Sequence, residues 1–452
     1  MAAAGAAGAA AVAGVAERET TTGAAARYRE AVDWLVKQRR AGRPRDPEVA
    51  RALLRTLGAP PPPRVLHVVG TNGKGTVTHL LAAMARAEGL RTGRFTSPHV
   101  EDLRERVAVD GVAVSADAVA VFADRARAAG LHGIGFFEWT LGLAVDAFHR
   151  GGVELAVAEA GVGARRDATM ALPGVIGTVL TNVDLDHVET LGPTLLDIAA
   201  DKAAVARPGV PLVTGARGEA LELVLRVAQD VGAPVWAVHP GHPLARWPDG
   251  APSPGAGWPP TRLEDACLAL ALGRVLGWSE ASLVAGLAAP PPPARFERFG
   301  LDVDGHHVEA VLDGAHDPTA AARLAAALPE GYVLLFGNLA RRRTLDALAP
   351  LRARASEVWL TPAEPGEAPP PVPAADGPPV RVEPRLDAAL TEASAAAARR
   401  GATLVIAGSL HLAGHARPWL RQRGFPLLEP GAANAEAGAM LAGRWDASVS
   451  SA

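Results

Sequence analysis

Residues 70–76 read GTNGKGT, directly after the apolar run VLHVV at 65–69. A turn of small residues lets successive backbone N–H groups converge on an anion, and Gly70, Gly73 and Gly75 permit that approach. A helix opening near Thr76 would add its unpaired N–H groups and positive end. Lys74 could then set its ammonium on β and γ phosphates, and the Thr76 hydroxyl is spaced to reach Mg²⁺. The common nucleoside-triphosphate loop has Ser or Thr directly after Lys. Here Gly75 intervenes, so an ordinary tight βα turn with a solvated lysine stays open as the plainer reading. Glu159, at the end of VELAVAE and before GVG, is a carboxylate able to point into the same crevice. His187 lies in TNVDLDHVETLG, where Asp184, Asp186 and Glu189 crowd it; that charge could raise its proton affinity or prepare it for a cation. Lys202, in LLDIAADKAAV, reads on its own as a surface lysine of an amphipathic helix.

These side chains need elements to hold them. The segment from Tyr28 to Leu57 reads as a helical entry region, stopped by proline at 60–63. VLHVV is then a strand, and TVTHLLAAMARAEG a helix, with Val77, Leu80, Leu81 and Met84 at helical spacing. Further strands are expected at 91–95, 153–159, 174–183, 210–215 and 234–238, with helices at 135–150 and 195–206. Such alternation predicts a parallel sheet covered on both faces, with ligands at the carboxyl ends of its strands. GTNGKGT and GVGARRDAT (161–169) both fall there. The Pro/Gly-rich stretch 239–260 is expected as a surface loop, followed by two more helices. After the prolines at 290–293 a second α/β pattern begins: HVEAVLD, a helix from Pro318, YVLLFG, EVWLT, a helix near 386–399 and ATLVIAG. The expected organisation is a leader at 1–22, a phosphate-loop domain at 23–292 and a smaller domain at 293–452, with 368–379 an external loop.

The chain of 452 residues is long for one core, and its 49% hydrophobic content can fill two. Its formal net charge of −3 gives no basis for nonspecific nucleic-acid or acidic-membrane binding. One cysteine, Cys267, excludes an intrachain disulfide and a thiolate zinc cluster. The alanine-rich start lacks the basic region of a signal peptide, and no apolar run is long enough to cross a bilayer. A monomer in the cytoplasm, with no nucleic-acid or membrane partner, is expected.

Taken together, GTNGKGT, TSPHV at 96–100 followed by Glu105 and Arg106, FFEWT at 136–140, EAGVGARRDATM at 159–170, DHVETLG at 186–192, IAADKAA at 198–204, ARFE at 294–297, LDGAHD at 312–317 and AGSLHLAG at 407–414 occur in one order. That series resembles the folylpolyglutamate synthase and dihydrofolate synthase branch of the Mur ligase superfamily. The resemblance implies an α/β fold: a Mur-ligase-like phosphate-loop ATPase domain with a parallel sheet, plus a smaller Rossmann-like C-terminal domain. It implies ATP between the domains, held by Gly70, Thr71, Asn72, Gly73, Lys74, Gly75 and Thr76 on one side and by Arg295, Asp313 and His316 on the other. One Mg²⁺ would sit on Thr76 and Glu159, and a second on His187 and Lys202, the lysine being carbamylated. Ser97, Pro98, His99, Arg106 and Ser409 would serve the substrates. Catalytic roles would fall to Lys74, His187, Lys202 and His316. The implied reaction joins L-glutamate to dihydropteroate or a tetrahydrofolate through an acyl phosphate.

Several positions depart from the family pattern. Met170 and Asp317 replace asparagines, Ala164 and Ala294 replace glycines, and FGNLARRR at 336–343 lacks an expected acidic residue and lysine. Asp317 exchanges a donor for an anion near the expected triphosphate. A related ligase acting on another pterin-like acid is the nearest alternative. A nucleotide-gated binding protein and a GTPase-like switch are further readings; the retained metal constellation argues against the first, and the loop spacing and lack of a guanine-reading segment against the second.

Overall fold

The computed structural model describes residues 23–38, 45–252, 259–339, 344–373 and 377–426. The leader at 1–22, residues 340–343 of FGNLARRR, and parts of the two proline-rich loops lie outside the described residues. The helical entry region is two helices, at 23–37 and Pro47–Leu57. The second starts where Asp46 accepts from the Glu48 N–H and Pro47 opens the first turn. It ends at Gly58, in the left-handed region at φ 65°.

The first sheet has eight strands: β1 (Arg64–Val69), β2 (Thr92–Phe95), β3 (Val107–Val109), β4 (Val112–Ala113), β5 (Leu155–Glu159), β6 (Val175–Leu180), β7 (Leu212–Thr214) and β8 (Val235–Ala237). Their order is β4-β3-β2-β5-β1-β6-β7-β8. From β2 to β8 the pairings are parallel, as expected. The β2-β3 and β3-β4 pairings are antiparallel, an edge that the alternation of strands and helices does not predict. Its cause is local: Asp110 and Gly111, both at positive φ (49° and 84°), form the two-residue turn between β3 and β4, the Asp-Gly chemistry of a tight hairpin. β1 lies between β5 and β6, so the chain's winding direction reverses across it. In an open α/β sheet that switch point is where a crevice opens.

The second sheet holds β9 (Glu297–Val303), β10 (His306–Leu312), β11 (Tyr332–Phe336), β12 (Ala355–Leu360), β13 (Val380–Val382), β14 (Leu404–Ala407) and β15 (Gly424–Pro426), in the order β13-β12-β11-β14-β10-β9-β15. It is parallel from β13 to β10, but the β10–β9 and β9–β15 pairings are antiparallel, which corrects a wholly parallel reading of the second α/β pattern. Again an Asp-Gly pair, Asp304 and Gly305 at φ 51° and 77°, makes the turn.

Helices cover both sheets, and one packing arrangement positions the site. The helix Lys74–Ala87 follows β1 and is backed by Pro260–Val275 and Glu280–Leu287. Gly286 allows close contact, since a Cβ there would stand 2.1 Å from Met84 Cγ. The Pro260–Val275 helix thereby returns to the phosphate loop from far along the chain. Among the described residues, no helix is long and apolar enough to cross a membrane.

Candidate functional site

The GTNGKGT loop is shaped by what sits against it. Thr181 Oγ1 donates to the Asn72 carbonyl at 2.6 Å, and Asn182 Oδ1 accepts from the Asn72 N–H at 2.9 Å. A Cβ on Gly70 would lie 1.8 Å from Thr181 Oγ1, and one on Gly73 2.0 Å from Asp265 Oδ1. Gly73, at φ 82°, caps the helix that starts at Lys74. Gly70 and Gly73 are therefore required by close neighbours as well as by backbone conformation. Lys74 Nζ donates to the carbonyls of Gly70 at 3.1 Å and Thr71 at 3.0 Å, so its ammonium rests on the loop that it would serve.

Four titratable groups surround this loop. Glu159 ends β5 beside Val68 of β1 in register. Its carboxylate is buried and accepts from the Ser97 N–H at 3.0 Å. Burial holds its pKa above the usual carboxylate range, against the opposing pull of Lys74, Arg295 and Arg106. Among the described residues no cation reaches ion-pair distance of it, which leaves a buried anion in want of a counter-charge. Lys202 is not the surface lysine that its helix suggests: it is 2% exposed, and Nζ donates to the Gly70 carbonyl at 2.8 Å. Desolvation, then Lys74, lowers its pKa to about 7. His187 caps a short helix at φ 52° with Asp186 near its ring. Its pKa moves down, because partial desolvation of a half-exposed ring, Lys74 and Lys202 outweigh Asp186; the acidic neighbours do not raise its proton affinity on balance.

The fourth group, Asp265, carries no signal in the sequence. It is buried, covers Gly73, and is hydrogen-bonded to the Thr76 hydroxyl; burial pushes its carboxyl up to about 7. Between an unfolded pKa near 4 and that value, the folded protein binds more protons than the unfolded chain. Stability is therefore lost as pH rises from about 4 to about 7. A displacement from 3.8 to about 7, at about 1.4 kcal/mol per pH unit, is worth about 4 kcal/mol at most. Asp265→Asn removes the ionisation, so urea denaturation should show the variant gaining on the parent at pH 8 by up to that amount, with little gain at pH 4. An equal difference at both pH values would contradict it.

The opposite wall comes from the second sheet. Asp313, just beyond β10, is partly buried and accepts from Phe296 N–H and Ala315 N–H, each at 2.8 Å; desolvation raises its pKa while Arg295 opposes. His316 Nδ1 is 2.8 Å from the Gly314 carbonyl, which assigns the proton to that nitrogen. Ser409 caps the helix Leu410–Arg423. Asp317, the departure with the least favourable charge, caps the helix Pro318–Ala327 by accepting from the Ala320 N–H, a role Asn and Asp perform equally. Both walls face one cleft of ≈ 1330 Å³. Of the residues singled out from sequence, Thr71 through Thr76, Ser97, Pro98, Arg106, Glu159, His187, Arg295, Asp313, His316 and Ser409 line it. Gly70, His99 and Lys202 stand behind its surface: His99 Nδ1 accepts from Arg106 Nε at 2.8 Å, and Lys202 lies under the loop. Arg45 and Asp167 also line the cleft. Arg45 Nη1 reaches the Val162 carbonyl at 2.8 Å, and Asp167 accepts from the N–H groups of Gly161 and Val162. Among the described residues, no three His, Cys, Asp or Glu side chains gather into a metal cluster.

Residues 294–410 match the family described as Mur ligase, glutamate ligase domain. The dihydrofolate synthase/folylpolyglutamate synthase of Escherichia coli K12 is 30% identical over 327 residues, covering 67% of this chain and 74% of that protein. The chain belongs to the folylpolyglutamate/dihydrofolate synthase family of the Mur ligase superfamily. A family member in Haloferax volcanii, called a probable bifunctional folylpolyglutamate synthase/dihydropteroate synthase, is 36% identical over 330 residues. The chain spans only 39% of that protein's length, and 40% of a similarly named relative in Halobacterium salinarum. Among solved structures, E. coli FolC in complex with DHPP and ADP superposes with a TM-score of 0.73 at 26% identity, over 88% of this chain and 98% of that one. A Yersinia pestis bifunctional folylpolyglutamate synthase/dihydrofolate synthase complexed with AMPPNP and Mn ion gives 0.72 at 25% identity, over 87% and 98%. The Mur-ligase-like architecture of two α/β units thus holds for this chain.

Proposed function

We propose that the chain is an ATP-dependent ligase that joins the amine of L-glutamate to the carboxylate of a folate-type acceptor, dihydropteroate or a tetrahydrofolate, releasing ADP and phosphate. The observation that carries this reading is the cleft in which a phosphate loop, a buried carboxylate and the Arg295–Asp313–His316 wall face one another. A carboxylate is a poor electrophile because its charge repels an incoming amine. Transfer of the γ-phosphoryl group to it removes that obstacle, and the amine then displaces phosphate. The loop N–H groups and Lys74 neutralise phosphate oxygens as charge shifts toward ADP. Arg295 and Asp313 hold the nucleotide from the second sheet. Two opposed walls exclude water, which would otherwise hydrolyse the acyl phosphate.

The chemistry of the donor set fits Mg²⁺. Glu159 is a buried anion, Thr76 offers a hydroxyl, and the lowered pKa of His187 favours the neutral imidazole that a metal requires. Lys202 joins this set as a carbamate. Addition of CO₂ needs a neutral amine, which a pKa of about 7 makes available. The product keeps one N–H, enough to retain a bond to the Gly70 carbonyl, and carries an anion in place of a cation. Mg²⁺, when bound, supplies charge neutralisation on the phosphate oxygens.

Purified protein supplied with ATP and Mg²⁺ should release ADP when L-glutamate is present together with dihydropteroate or a tetrahydrofolate. Turnover with both acceptors would establish bifunctionality. Glutamate-dependent ADP release with neither acceptor would refute the folate assignment and favour another acid as substrate.

A further inference from the structure

Arg295 reaches the cleft from a strained joint. Ala294 and Phe296, on either side of it, have φ of 52° and 53°, a conformation that L-residues keep only where neighbours enforce it. The enforcing bonds are Ala294 N–H to Glu297 Oε2 at 3.0 Å, Phe296 N–H to Asp313 Oδ2 at 2.8 Å, and Gly314 N–H to the Ala294 carbonyl at 2.9 Å. Glu297 is itself gripped in bidentate fashion by Arg417, with Nε to Oε2 and Nη2 to Oε1 both at 2.8 Å.

The remaining Arg417 nitrogen, Nη1, donates across to Glu101 of the first unit, whose other oxygen accepts from Arg421 at 2.6 Å. Glu101 belongs to the loop that begins at Ser97, bound to Glu159, and ends at Arg106, a lining residue. Glu105 stiffens that loop by accepting from the N–H groups of Val100, Glu101 and Asp102 at 2.7, 3.1 and 3.3 Å. Helix and loop also touch through backbone, since a Cβ on Gly414 would lie 2.2 Å from the Val100 carbonyl. Side-chain exposures of 16% for Arg417, 10% for Glu101 and 13% for Glu297 leave little water to screen the charges. Truncating one partner would strand the others.

We propose that Arg417 is a positioning residue for the ligation: by bridging Glu297 and Glu101 it fixes the joint that presents Arg295 and the loop that presents Ser97 and Arg106 in one alignment. This rests on the ligase reading above. It acts through its neighbours, so its loss shows as misalignment of the two walls and not as a missing contact to substrate. Arg417→Lys cannot span both carboxylates with a planar fork and restores the alignment only in part.

The test attaches spin labels at Glu222→Cys and Glu392→Cys, exposed positions on the two units; Cys267 is buried. Distances are measured without substrates, and kcat and KM at a temperature where circular dichroism shows each protein folded. Arg417→Gln should broaden a narrow inter-unit distance distribution and lower kcat roughly 10- to 100-fold, the effect of misplacing reacting groups by about an ångström. Glu101→Gln, which leaves the Arg417–Glu297 grip in place, should fall between it and the parent. An Arg417→Gln protein with lowered thermal stability but unchanged distances, kcat and KM would reduce the residue to a structural role and overturn the proposal. If the parent shows no pterin-dependent ligation, the ligase reading fails separately, and the distances still decide whether Arg417 aligns the units.

Discussion

Replacing Lys202 with alanine lowers kcat at least about 10³-fold, comparable to or beyond the loss of a strong transition-state donor, and a short carboxylate such as formate or acetate restores part of it. Both effects follow from the position of the side chain. Lys202 is buried beneath the loop with its amine on the Gly70 carbonyl, so truncation removes the group that would become an anion and leaves a cavity of its size. A small carboxylate can enter that space and replace the charge. The change also removes one of the two donors to the Gly70 carbonyl, Lys74 remaining, at a cost of about 1 kcal/mol in stability, and a carboxylate would not selectively restore turnover if that were the only consequence. In the parent at limiting bicarbonate, activity should rise with pH through about 7, because protonated amine cannot add CO₂ and the folded pKa lies there. Near-normal turnover of the alanine variant would show that the proposed role is wrong.

Lys74→Ala should reduce kcat/KM for ATP by about 10²- to 10³-fold while leaving the fold intact. In the structure the Lys74 ammonium donates to the carbonyls of Gly70 and Thr71 at the opening of the helix. That places a cation where a triphosphate would meet the loop N–H groups. Alanine keeps the helix but leaves those N–H groups and the helix dipole to neutralise the developing charge alone. ADP-release kinetics alongside equilibrium binding of a fluorescent ATP analogue separate the two contributions. A loss confined to binding, with kcat at saturating ATP unchanged, would mean that Lys74 holds the ground state only.

The phosphate loop is legible in the amino-acid sequence because strand, glycines, lysine and hydroxyl are contiguous. Glu159 is legible because it closes an apolar strand. Lys202 is not: helical periodicity cannot distinguish a lysine facing water from one driven under a neighbouring loop, and only resemblance to a family changes its reading. Asp265 gives no local sign because its importance comes from a helix folding back onto Gly73 across most of the first unit. The antiparallel edges of both sheets do have a signal, the Asp-Gly pairs at 110–111 and 304–305, which the alternation of strands and helices obscures. His187 shows the reverse limitation: its acidic neighbours in sequence leave a raised proton affinity and a cation site equally open, while partial desolvation and two lysines decide the direction of its shift. Asp317, alarming beside a triphosphate, is accounted for by a helix cap. The Glu101–Arg417–Glu297 bridge joins three distant segments, so no local pattern announces it.

The most direct test of the mechanism follows an oxygen atom. Dihydropteroate carrying heavy oxygen in its carboxylate is incubated with the protein, ATP, Mg²⁺ and L-glutamate, and the phosphate released is analysed by mass spectrometry. Attack of the carboxylate on the γ-phosphorus predicts one labelled oxygen in inorganic phosphate for each amide formed. Amide formation with unlabelled phosphate, or with the label in AMP, would contradict an acyl phosphate formed in this cleft.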